Sequence, residues 1–102
     1  LSQIILKFTT VAEENDSSRF AVGREGATVG RGPENDVCIP NDKCMGESNH
    51  ASIVWRGGAF HVEDKGLPYA ASIRIGSGRG VREWPLEEGS MFSAGNSVFH
   101  TK

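Results

Sequence analysis

The first residues whose types suggest recognition of an anion are Gly30-Arg31-Gly32. A guanidinium offers a planar fork of donors that fits a phosphate or a carboxylate, and it is more weakly hydrated than an ammonium group. Glycine on both sides lets backbone come close to whatever the fork holds. The apolar run Ala27-Thr28-Val29 stands directly before, so Arg31 falls where a strand gives way to a loop. Taken alone, an arginine in such a place is equally an ordinary solvated rim residue. A second polar group, Ser48-Asn49-His50, precedes another strand-like run. Its hydroxyl and amide can both donate to an anion, and the same residue types also build tight turns.

Other chemistry finds less support. Catalysis by Cys38 or Cys44 with His50 or His61 as base needs the pair within hydrogen-bond reach together with oxyanion donors. No spacing here sets up that arrangement, so we expect no catalytic residue and no enzyme. The two cysteines lie six apart with no second close pair, which does not match zinc-ligand spacing. They read as reduced thiols of an intracellular protein, and no metal or cofactor is expected. Gly76-Ser77-Gly78-Arg79-Gly80 lacks the Gly-Lys-Ser/Thr ending of a phosphate-cradling loop and is followed by no helical pattern. It reads as a flexible turn between strands.

The elements that must carry these residues are strands. Ser52-Ile53-Val54-Trp55-Arg56 and Ala59-Phe60-His61-Val62-Glu63 flank Gly57-Gly58, whose freedom to take positive φ suits a two-residue hairpin turn. The register predicts Trp55 opposite Phe60 and Ile53 opposite Val62 on one apolar face, with Val54 and His61 on the other. Short apolar groups recur at Ile4 to Phe8, Phe20 to Val22, Ala27 to Val29, Val37 to Ile39, Ser72 to Ile75, Met91-Phe92 and Val98-Phe99. Glycine and proline interrupt every window in which a helical period could run, so the pattern predicts a sandwich of strands. Glu13-Glu14-Asn15-Asp16-Ser17-Ser18 reads as a mobile hairpin loop.

With 102 residues the chain has room for one core, and residues 1–102 are read as one domain. Its opening on Leu1 suggests a piece excised from a larger protein. A formal net charge of −2 argues against a surface built to neutralise nucleic-acid phosphates. No apolar run approaches the roughly 18 residues that span a bilayer, so a soluble domain without a membrane partner is expected.

Several of these pieces, in order, resemble the forkhead-associated (FHA) domain. They are Gly30-Arg31, Asn35-Asp36-Val37-Cys38-Ile39, Ser48-Asn49-His50-Ala51, Gly57-Gly58-Ala59-Phe60-His61-Val62-Glu63-Asp64, and Trp84-Pro85-Leu86-Glu87-Glu88-Gly89 with Phe92 and Gly95. The resemblance covers nearly the whole chain. It implies an all-β, FHA-like sandwich of two twisted, mainly antiparallel sheets, with loops at one end that bind a phosphothreonine-containing peptide of a partner protein in signalling. It further implies that Arg31, Ser48 and Asn49 hold the phosphate, with Gly30 and His50 structural and His50 bracing loop backbone. Lys43, Tyr69 and Ala70 are the candidate peptide contacts. Two departures from the family pattern stand out. One residue separates Ser48 from His50 where the family has two, so either the loop is shortened or Glu47 stands in the family serine's position. Leu67-Pro68-Tyr69-Ala70-Ala71-Ser72 replaces the family's Ser/Thr-Asn-Gly-Thr loop. The alternative reading is therefore a degenerate FHA-like domain that binds a partner independently of phosphorylation.

Overall fold

A computed structural model of the chain describes residues 3–9, 18–42, 44, 50–65, 73–75 and 79–101. The chain forms strands β1 (Gln3–Thr9), β2 (Ser18–Gly23), β3 (Ala27–Gly30), β4 (Val37–Cys38), β5 (Ala51–Arg56) and β6 (Ala59–Asp64). They are followed by β7 (Ile73–Ile75), β8 (Arg79–Val81), β9 (Glu83–Leu86), β10 (Met91–Ala94) and β11 (Ser97–Thr101). One sheet has the order β2-β1-β11-β10-β7-β8, and the other β4-β3-β5-β6-β9. Among the described pairings only β3 with β4 is parallel. The fold is thus the all-β sandwich expected from the sequence.

Alternation along the strands decides what lies between the sheets. One sheet contributes Ile4, Leu6, Val22, Phe92 and Phe99 to the core, and the other Val29, Ile53, Phe60 and Val62. Phe92 stacks on Phe99 at 4.9 Å between ring centroids, and Phe8 packs against Phe99 from β1. The β5–β6 hairpin has the predicted register, with Trp55 opposite Phe60 and Ile53 opposite Val62. Gly57 and Gly58 take φ of 61° and 82°, the left-handed region this turn needs. Trp55 meets Phe60 edge-on at 4.8 Å, and the guanidinium of Arg24 lies 4.7 Å from the Trp55 ring.

Three readings from the sequence change. Arg79 and Gly80, taken for part of a turn, belong to β8, which pairs with β7 through Ile75↔Arg79 and Arg74↔Gly80. Residues 76–78 lie outside the described residues. Glu83–Leu86 forms a strand that the apolar pattern did not announce; it pairs only with β6, so Pro85 sits at a sheet edge where a missing N–H costs no ladder bond. Ser18, read as the end of a loop, opens β2 opposite Phe8, while residues 13–17 lie outside the described residues.

Candidate functional site

The antiparallel pairing of β3 with β5, Val29↔Ala51, brings Gly30, Arg31 and His50 to the same end of the sandwich. Each is fixed through backbone. Gly30 accepts a hydrogen bond from Ile39 N at 2.9 Å, and the Cys38 thiol donates to the Arg31 carbonyl at 3.4 Å. Downstream, Gly32 O accepts from both the backbone and the side-chain amide of Asn35, at 3.2 and 3.0 Å, which tightens the turn after Arg31. The segment is clasped once more where Thr28 N donates to Asp36 Oδ2 at 2.9 Å and Asp36 N donates to Thr28 Oγ1 at 3.0 Å. Arg31 itself is half-buried in this frame.

His50 is 2% exposed. Its N–H donates to Val29 O at 2.8 Å and its carbonyl accepts from Lys65 N at 2.9 Å, so it links the end of β3 to the residue after β6. Of the residues expected to act here, the structure brings Gly30, Arg31 and His50 together. Ser48, Asn49, Lys43, Tyr69 and Ala70 lie outside the described residues.

Sequence reasoning missed the residue that secures this end. Asp42 is 4% exposed, and its carboxylate accepts from Asn96 N at 2.8 Å, Ser97 Oγ at 2.7 Å and Cys44 N at 3.1 Å. The Asn96 amide also donates to Cys44 Sγ at 3.1 Å, and Arg74 donates to Gly95 O at 2.5 Å. The β10–β11 turn is thereby held to the chain that follows β4 and to β7. The acids near Arg31 are thus engaged unequally. Asp36 and Asp42 accept bonds from backbone and hydroxyl donors, whereas Glu34 is exposed. Both cysteines are free thiols at the surface.

Comparison with known proteins agrees with this architecture. The sequence model described as FHA domain matches residues 27–95. None of the curated proteins matches the chain significantly. Among solved structures, the Slr1951 protein of Synechocystis sp. superposes with a TM-score of 0.78 at 21% identity, over 100% of this chain and 96% of that one. A structure from work on phosphothreonine-dependent FHA domain interactions has a TM-score of 0.70 at 20% identity, covering 98% and 95%. The FhaA FHA domain, complexed with the intracellular domain of Rv3910, has a TM-score of 0.69 at 20% identity, covering 97% and 99%.

Proposed function

Because the chain belongs to the FHA domain family, whose members are protein-interaction modules, we propose that it recognises a phosphothreonine-containing peptide with the loops at the Arg31 end of the sandwich. In this reading Arg31 supplies the charged fork, Ser48 and Asn49 add neutral donors, and His50 holds the loop backbone in shape. Lys43, Tyr69 and Ala70 contact the peptide on either side of the phosphate. The chemistry is binding, with no bond made or broken. A phosphate near neutral pH carries close to two negative charges and several acceptor oxygens, so a few fixed donors suffice.

The observation that carries the reading is the preparation of backbone around Arg31. Hydrogen bonds from Cys38 and Ile39 and the turn closed by Asn35 fix its position, and buried His50 stands one strand away. A loop whose backbone is fixed before its ligand arrives loses less freedom on binding. Phosphorylated and unphosphorylated versions of one threonine peptide, titrated against the protein and against Arg31→Ala, test the proposal. The phosphorylated peptide is expected to bind alone, and the substitution to weaken it about tenfold or more, the worth of one charge-assisted hydrogen bond. Equal binding of the two peptides, unaffected by Arg31→Ala, would instead make this a domain that ignores phosphorylation.

A further inference from the structure

The strand registers sort the charges of the six-stranded sheet in a way the phosphate site does not use. Leu6, Phe99 and Phe92 point into the core, so their neighbours Lys7, His100 and Met91 point out. Pairings Lys7↔Arg19, Lys7↔His100 and Met91↔His100 place Arg19, Lys7, His100 and Met91 in one row across β2, β1, β11 and β10. The next row holds Val98, Ser93 and Arg74. Ile5 and Ala21 lie on the other side of the first row. Among the described residues of this outer face there is no acid, although the chain as a whole is negative. Among the described residues, no acidic side chain pairs with Lys7, Arg19 or His100. The exposed large apolar side chains of the described molecule, Met91 at 53% and Val98 at 38%, both fall on it.

The opposite outer face behaves differently. There Arg56 pairs across strands with Glu63 and Glu83, and Lys65 pairs with Glu63 two residues before it, so these basic groups are matched by acids. A single-sign face with apolar side chains set among its cations is the complement of an acidic, amphipathic surface. We propose that the outer face of the six-stranded sheet is a second docking surface, which takes an acidic segment of a partner protein with apolar residues between its carboxylates. Met91 and Val98 belong to strands of the sheet and not to a projecting loop, which suits a segment laid across the sheet better than insertion into a lipid layer. Met91 adds an unbranched thioether that adapts to irregular partners.

The test uses a synthetic peptide alternating glutamate with leucine, a glutamine-for-glutamate control, and vesicles of phosphatidylserine in phosphatidylcholine. Amide and methyl signals report where each binds. The glutamate peptide is expected to perturb Met91, Val98 and His100, to weaken with added salt, and to lose about tenfold in affinity in the Lys7→Glu/Arg19→Glu variant. Met91→Ser should cost about fivefold. Arg31→Ala should leave this binding unchanged, which keeps the result separate from the phosphate site. Both reversed charges are on an outer face, and a denaturation curve confirms that the variant folds. The proposal is overturned if the peptide fails to bind, if perturbation maps to the loops around Arg31, if the glutamine control binds equally, or if only the vesicles bind.

Discussion

The two ends of the sandwich are held together by different means. At the Arg31 end, a buried carboxylate on Asp42 ties the β10–β11 turn to a segment 54 residues earlier, and side chains of Asn35, Cys38 and Thr28 bond the segment that follows β3. At the other end, Gly57-Gly58 closes β5 onto β6 within the hairpin itself, and Gly26 turns the chain into β3 with a backbone bond to Gly23. One end depends on side-chain contacts between parts of the chain 54 residues apart, and the other on the local freedom of glycine together with Thr101, which bonds Gly89, Ser90 and Glu87 in the turn before β10. Distant polar bonds fix the chain on either side of Arg31 and the β10–β11 turn, and each can be lost singly.

The largest effect should come from the first end. Asp42→Ala leaves Asn96 N–H, the Ser97 hydroxyl and Cys44 N–H without their acceptor, and should destabilise the fold by about 4 kcal/mol in urea denaturation. Asp42→Asn, which keeps one oxygen, should fall between. If both variants matched the parent, the contrast between the two ends would collapse.

Next comes Gly26, where φ is +81° and an added Cβ would stand 2.4 Å from the Ile53 carbonyl oxygen. Gly26→Ala should cost about 2 kcal/mol, joining left-handed strain to a backbone clash. Gly58 has a similar φ but nothing within 4 Å of an added Cβ. Gly58→Asn should therefore change stability by less than about 0.5 kcal/mol, because asparagine tolerates this conformation. The difference between the two glycines separates strain from crowding at one end of the molecule.

The smallest effect lies between the ends and shows itself in pH. Burial works to raise the pKa of Glu63, but hydrogen bonds and charge from Arg56 and Lys65 outweigh it and hold the carboxyl below its ordinary value of 4.5. A depressed carboxylate stabilises the fold above its unfolded pKa, and that contribution fades as pH falls through the lower, folded value. The parent should lose more stability than Glu63→Gln on acidification from neutral to below pH 4.5, as read from denaturation midpoints at each pH.

This division also explains what could be read in the sequence. The β5–β6 hairpin was legible because its turn, register and facing aromatics lie within a dozen residues. Arg31 stood out because glycines flank it at the end of an apolar run. β8 was hidden by Gly80, and β9 by Glu83 and Pro85, residues that local preference assigns to turns and that here occupy or adjoin sheet edges. Asp42 gave no signal, since an aspartate after Pro40-Asn41 looks like any turn residue until Asn96 and Ser97 are folded against it.

The adjacency of β1 and β11 has a practical consequence. Their antiparallel pairing, Leu6↔Thr101, sets the start of β1 and the finish of β11 side by side at the glycine-turn end, facing away from Arg31. Whatever is attached there, a linker, a fluorophore or a solid support, hangs from the back of the molecule and leaves the opposite tip pointing outward to sample its surroundings.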